Sequence, residues 1–549
     1  MVLDGQVRWP EHLVADYVAK GYWRGVALGS LPWRWADARG HRTALVDGDS
    51  RLGYDDLARR VDALAANLLS IGLRPADTVL VQLHNCWEFV VTVFAAARIG
   101  VVPVLALPGY RERELAHIAR HAAVSAAVVP TTWRGFDHQR LALDVAAGLD
   151  RPCRVLAVGA GVSPDATALR PLLHVDEEPA ALRARLDALA PPSGDVALLL
   201  MSGGTTGPPK LIARTHDDYE YNARRSGELS GLGPDSVYLV SLPAGHNFPL
   251  GSPGLLGALL AGGTVVMLPS PEPEAAFAAI ARERVTITSV VPAVAHRWLE
   301  HHRPDRHDLS SLRVVQVGGA RLAPDVARRL PRLGCAVQQV FGMAEGLLNF
   351  TRLDDPPDVV AETQGRPMCP DDEVRIVDEA GDDVPFGRPG ELLTRGPYTP
   401  RGYFRGGRHD VDSFTPDGWY RTGDVVRWHP SGNLVVTGRV KDLINRAGEK
   451  ISAQELEDVL YSLPWVARAA VVGVPDAELG ERVCACVVPG PGPVPDLAEV
   501  RAEFAARGVA VFKLPEQLRV FDALPLTDIG KPDKKKLRAL LAANTDGHR

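Results

Sequence analysis

The chain has 549 residues, 46% hydrophobic and 23% charged, with a formal net charge of −6. That length calls for two or more domains of ordinary globular composition, and the charge balance argues against nucleic acid or a membrane surface as the main partner. The longest apolar run, GLLGALLAGGTVVML, has 15 residues and four glycines, too short and too glycine-rich to span a membrane. The opening MVLDGQVRWPEH lacks the basic-then-apolar pattern of an export signal. Six scattered cysteines read as reduced, buried thiols of a cytoplasmic protein.

In chain order, YDDLARRVDALAANLLSIGL has helical spacing and closes near Gly72. DTVLVQL then reads as a strand, WEFVVTVFAAARIG as a helix, VVPVLAL as a strand, RELAHIARHAA as a helix and VSAAVVP as a strand. GTVVMLP, ITSVVP and RVVQVGG follow as buried strands. This alternation predicts layered α/β architecture with largely parallel sheets. From about Asp372 short strands and Gly/Pro turns take over, which predicts an antiparallel β subdomain. From Lys441 onward AQELEDVLYSL, VARAAVVGVPD, RVCACVVPG, DLAEVRAEFAARG and PEQLRVF describe a small α+β unit. The expected division is therefore 1–440 and 441–549, the second part being of a size that folds alone.

Only nine of the 61 basic residues are lysines. In so arginine-biased a chain, a lysine marks a place where a compact point charge on a flexible stem is wanted rather than a planar fork. Lys210, Lys441, Lys450 and Lys531 draw attention on that ground.

Lys210 ends the stretch MSGGTTGPPK, in which Ser202, Thr205, Thr206 and five glycines or prolines form a loop rich in hydroxyls and unhindered N–H groups. Such a loop suits phosphate oxygens, yet it departs from the usual G-x-x-x-x-G-K-[ST] pattern. Four further segments strengthen the reading. QQVFGMAEG offers Glu345 as a carboxylate for Mg²⁺. WYRTGDVV offers Asp424 in a turn where it can accept from ribose hydroxyls, and GRVKDLINRAGEKI carries Arg439, Lys441 and Lys450. PLTDIGKPDKKKL sets Lys531 after a glycine turn.

With these motifs collinear from GYWRG at Gly21 to beyond Lys531, the chain resembles the adenylate-forming superfamily of acyl-CoA synthetases, luciferases and peptide-synthetase adenylation domains. Within it, GHNFPLGSPG and FGMAEGLLNFTRLDD most resemble the stand-alone aryl acid–AMP ligases of siderophore and related natural-product assembly. The resemblance implies ATP and Mg²⁺ as cofactors and a large N-terminal domain of layered sheets with a small mobile C-terminal domain. It implies that Ser202, Thr205, Thr206 and Lys210 hold the β- and γ-phosphates, Phe341 stacks on adenine, and Glu345 holds Mg²⁺. Asp424 and Arg439 would hold the ribose, Lys531 would bridge the carboxylate and the α-phosphate, and Lys441 would be the hinge. The segment near Gly448 and Lys450 would turn toward an incoming pantetheine. Ala344 stands where many members carry threonine.

For the acid, the resemblance places Asn247 at an ortho-hydroxyl and the carboxylate, with Phe248, Ser252, Gly319 and Leu348 around the ring and His246 as a neighbour or contact. Ser252 would favour 2,3-dihydroxybenzoate and Leu348 salicylate, with salicylate slightly preferred. Asn247 is expected to be left unpaired without an ortho-hydroxyl. The Asp49-Ser50 pair lacks the helical setting of a carrier-protein serine, so the acceptor is expected in trans, on the phosphopantetheine arm of a separate aryl carrier protein. The run Lys534-Lys535-Lys536 reads as a solvated helix face. An aryl-CoA ligase using free CoA is the alternative, and a non-catalytic nucleotide-binding regulator a distant one.

Overall fold

The structure is a computed structural model describing residues 3–202, 209–446, 449–476, 478–490, 492–527 and 531–545, with side chains for all of these but 450 and 543–545. Thr205, Thr206 and Gly448 therefore lie outside the described residues, as does the side chain of Lys450.

The apolar runs become sheet interiors. Among the described residues, one sheet has seven strands in the order 211–215, 196–201, 102–105, 78–81, 126–130, 154–158 and 167–168. All six residues of Val196–Met201 are buried, as expected for a strand covered on both faces. A second sheet has nine strands, with 43–47, 264–267, 237–240, 287–290, 314–318 and 336–343 running parallel. Antiparallel strands finish its edges at 50–53 on one side and at 346–350 and 366–367 on the other.

The helix Tyr54–Ser70 buries Leu57, Val61, Leu64 and Leu68, one stripe at helical spacing. It also buries Asp62, which accepts from Arg98 Nε at 2.9 Å and from the Trp33 indole at 2.6 Å. A charge at 1% exposure is tolerated because both carboxylate oxygens are paired.

The predicted change of texture after Asp372 is an antiparallel four-stranded sheet of Glu373–Val377, Gly390–Arg395, Tyr420–Trp428 and Leu434–Arg439. A five-stranded sheet follows from Leu443, packed by the helices Ala453–Tyr461, Leu497–Ala506 and Lys534–Thr545. Val500 and Phe504 fill its core together with Leu456 and Leu460. Cys484 and Cys486 alternate on one of its strands with their sulfurs 4.0 Å apart, buried free thiols in an apolar cluster. Asp49-Ser50 is a strand entry, not a helix start. Lys534 differs from the solvated reading: its ammonium lies 2.8 Å from the Glu457 carboxylate, across 77 residues of sequence that no helical pattern reveals. Among the described residues no helix is long and apolar enough to cross a membrane.

Candidate active site

The site gathers where the parallel strands end, the usual place for ligands in open α/β sheets. Strand Val196–Met201 leads into the Ser/Thr/Gly loop, and Leu211–Thr215 returns antiparallel with Met201 opposite Leu211. The base of the loop is closed by two bonds. Ser202 N–H donates to Lys210 C=O at 2.9 Å, and Lys210 N–H donates to Ser202 Oγ at 3.1 Å. The Lys210 ammonium sits 4.5 Å from the centre of the Tyr403 ring, a cation–π contact that holds it beside the loop.

Tyr403 joins this lysine to the carboxylate turn. Its hydroxyl donates to Glu345 Oε1 at 3.0 Å and stands 3.3 Å from the Tyr420 hydroxyl. Glu345 lies in the tight link between strands Ala336–Met343 and Gly346–Phe350. The link is close enough that a Cβ at Gly346 would meet the Thr399 Cα at 2.6 Å, with φ at +127°, so only glycine serves there. Burial raises the Glu345 carboxyl above the usual carboxylate range, against the pull of Tyr403, Tyr420 and Arg439. Phe341, two strand positions before Met343, is half-buried against the cluster of Leu347, Val426 and Leu434.

Asp424 and Arg439 face each other in register across neighbouring strands, with Arg439 Nε 2.8 Å from Asp424 Oδ1. Lys531 comes from the far end of the chain to the same place. Its Cε lies 3.9 Å from where a Cβ at Gly319 would stand. Burial, joined by Arg439 and Lys441 and opposed by Asp424, lowers the Lys531 ammonium to about 8. His246 caps the helix Asn247–Gly251, with Nδ1 accepting from the Phe248 N–H at 3.2 Å. Burial, aided by Lys531, pushes His246 down to about 4, so it is neutral at physiological pH.

Of the residues expected around an aromatic acid, Asn247, Phe248, Ser252 and Leu348 are buried, whereas Gly319 is exposed. Phe248 and Leu348 belong to one apolar cluster with Leu242, Val340 and Phe350. The Phe248 ring lies against Gly318, where a Cβ would come within 2.9 Å of Cζ. One expectation is corrected. Asn247 is not left unpaired: its Oδ1 accepts from the Tyr219 hydroxyl at 3.0 Å, and its Nδ2 donates to Ser252 Oγ at 3.3 Å and Met343 C=O at 3.4 Å. An incoming acid must therefore replace one of the two long bonds rather than satisfy an orphan.

Lys441 lies in the short turn Val440–Asp442, which leads from the four-stranded sheet into the five-stranded one. Two contacts fasten the second part of the chain to the first. Arg321, two residues past Gly319, pairs with Asp458, and Ser452 Oγ donates to Thr437 C=O. Tyr403, Tyr219 and Arg214 were not flagged by sequence reasoning. Each sits in a segment that reads only as a helix, strand or turn.

The sequence pattern of the AMP-binding enzymes matches residues 32–404, and that of the AMP-binding enzyme C-terminal domain matches 455–531. A Streptomyces protein described as salicylyl-CoA synthase / salicylate adenylyltransferase is 56% identical over 100% of this chain and 99% of its own. A salicyl-AMP ligase / salicyl-S-ArCP synthetase of Mycobacterium tuberculosis is 48% identical over 97% of this chain and 94% of its own. The apo structure of MbtA from Mycobacterium smegmatis superposes with a TM-score of 0.75 at 46% identity, covering 98% of this chain and 99% of that one.

Proposed function

Because the chain belongs to the AMP-binding enzymes, we propose that it activates a 2-hydroxyaryl carboxylic acid with ATP, forming an aroyl adenylate and pyrophosphate, and then passes the aroyl group to a thiol with release of AMP. The observation that carries this reading is the position of Lys531, delivered beside Gly319 and His246 and near the Asp424–Arg439 pair. The salicylate named for both full-length relatives supports salicylate ahead of 2,3-dihydroxybenzoate.

The chemistry follows from charge. An aryl carboxylate is an anion at neutral pH, so it attacks the α-phosphorus without a general base. Attack crowds negative charge at the α-phosphate, and Lys531 is placed to offset it. Ser202 and Lys210 hold the outer phosphates in this reading, and Asp424 and Arg439 the ribose. The site fits Mg²⁺ carried in on the nucleotide: Glu345 is a single buried carboxylate, and the described residues contain no cluster of three or more potential ligands. That matches the habit of Mg²⁺, which takes one or two carboxylates and fills its shell with phosphate oxygens and water. When bound, the ion neutralises charge on the departing pyrophosphate. Phe248, Leu348 and their cluster keep water from the adenylate.

Two departures from ordinary pKa values accord with this. Lys531 is held too acidic and Glu345 too basic by the same burial, so the site lacks an anion at one end and a cation at the other. A metal-bound triphosphate supplies both. The kcat/KM for adenylation, which reports the free enzyme, is expected to fall as pH rises through about 8, where Lys531 loses its proton. A pH–rate profile without that limb in the wild type would remove the assignment. The stability effect has the opposite sign. The cost of the buried ammonium is fully present below pH 8 and is relieved as pH climbs toward the ~10.4 of an unfolded lysine.

An ATP–pyrophosphate exchange panel over benzoate, salicylate, 2,3-dihydroxybenzoate and heteroaryl acids tests the substrate. Exchange with none of the aryl acids would sink the reading. The acceptor is proposed to be the phosphopantetheine arm of an aryl carrier protein, in line with the mycobacterial relative. Free CoA is the second reading, favoured by the CoA synthase description of the Streptomyces relative. Comparing transfer from the adenylate to CoA and to a loaded carrier separates them.

A further inference from the structure

The Tyr219 hydroxyl is fully buried and has, among the described residues, one hydrogen-bond partner, Asn247 Oδ1 at 3.0 Å. A buried phenol must donate its proton, and an amide carbonyl is the acceptor within reach. Turning the amide over would set its NH₂ against the hydroxyl and leave the phenolic proton without an acceptor. The orientation of Asn247 is thus dictated from behind. Its oxygen faces Tyr219, and its nitrogen faces Ser252 and Met343, the segments placed around the acid.

Tyr219 is itself held in place. A Cβ at Gly251 would lie 2.8 Å from its hydroxyl, so the residue there must be glycine for the ring to approach. The guanidinium of Arg214 lies 4.9 Å from the ring centre. Arg214 is fully buried and fixed by bonds to Asp218 at 2.7 Å, Asn222 at 3.2 Å and Ala344 C=O at 3.0 Å. The arginine that fixes the tyrosine therefore also braces the turn bearing Glu345.

We infer that Tyr219 is a specificity-determining positioning residue: it locks the Asn247 amide with its N–H groups toward the pocket, so the enzyme selects acids whose ortho substituent can accept a hydrogen bond. The inference rests on the aryl-acid reading. It separates close isosteres. A 2-hydroxyl oxygen keeps lone pairs to offer, whereas a 2-amino group conjugated with the ring is a donor and a poor acceptor. Salicylate should be preferred to 2-aminobenzoate by roughly tenfold to a hundredfold, the range for mismatching a buried polar contact.

The test measures kcat/KM in pyrophosphate exchange for salicylate, 2-aminobenzoate and benzoate, with the wild type, Tyr219→Phe and Tyr219→Met. Without the hydroxyl the amide is held only by its long contacts to Ser252 Oγ and Met343 C=O, so it turns more readily to present its oxygen to a donor. The ratio of salicylate to 2-aminobenzoate should then fall by about tenfold. A merely structural role would lower all three acids together and leave the ratios unchanged. The methionine variant, whose flexible side chain fills the space differently, covers the case in which the phenylalanine variant does not fold. An unchanged ratio in a folded variant overturns the inference, as does a wild type that uses 2-aminobenzoate as well as salicylate. A wild type that exchanges with no aryl acid overturns the aryl-acid reading and this inference with it.

Discussion

Lys531→Ala is expected to reduce formation of the adenylate by at least ~10²–10³-fold while leaving thioester formation from supplied aryl-AMP largely intact. The ammonium lies near Gly319 and beside Asp424 and Arg439, where the carboxylate and the α-phosphate would meet. Its charge matters while pyrophosphate departs and has no counterpart once the adenylate is made and a neutral thioester is forming. Alanine removes the charge and leaves every apolar side chain of the Phe248–Leu348 cluster in place. The two half-reactions are measured separately, by pyrophosphate exchange and by acyl transfer from synthetic adenylate. Equal losses in both would show that Lys531 supports the fold of the site rather than the first step.

Lys441→Pro should produce the reverse pattern. The turn Val440–Asp442 is a short connection between the sheet carrying Asp424 and Arg439 and the sheet that brings Lys531. If the second part of the chain must swing so that Lys531 leaves and a thiol enters, this turn has to change its backbone angles. Proline fixes φ near −65° and blocks the change. Exchange should survive, and transfer to the thiol should drop by about tenfold or more, as when a conformational step becomes limiting. Arg321–Asp458 and Ser452–Thr437 would have to break in that swing. Normal transfer by the proline variant would place the pivot elsewhere.

Much of the fold was legible because the chain is locally consistent. The runs VVPVLAL and RVVQVGG can be buried on both faces, and each expected helix in the first 130 residues forms within a few residues of its expected limits. The site residues stood out where glycine, lysine and carboxylate fell together in short turns. What stayed hidden was the layer behind them. Tyr219 and Arg214 lie in RTHDDYEYNARRSGEL, whose pattern says helix and says nothing of Asn247 or Ala344 across the pocket. Tyr403 meets Glu345 across 58 residues and Lys210 across nearly two hundred. Asn247 could not be recognised as already paired, since two of its three partners, Tyr219 and Met343, lie 28 positions upstream and 96 downstream.

The lowered Lys531 ammonium carries a calorimetric consequence. Near pH 8 a good part of the free enzyme carries Lys531 as the amine. An arriving polyphosphate favours the ammonium, so binding draws a proton out of the buffer. The apparent enthalpy of nucleotide binding should therefore change with the buffer's own heat of ionisation. Titrations in Tris and in phosphate at pH 8 should differ with the sign of proton uptake, and the difference should shrink on going to pH 6.5 or in Lys531→Ala.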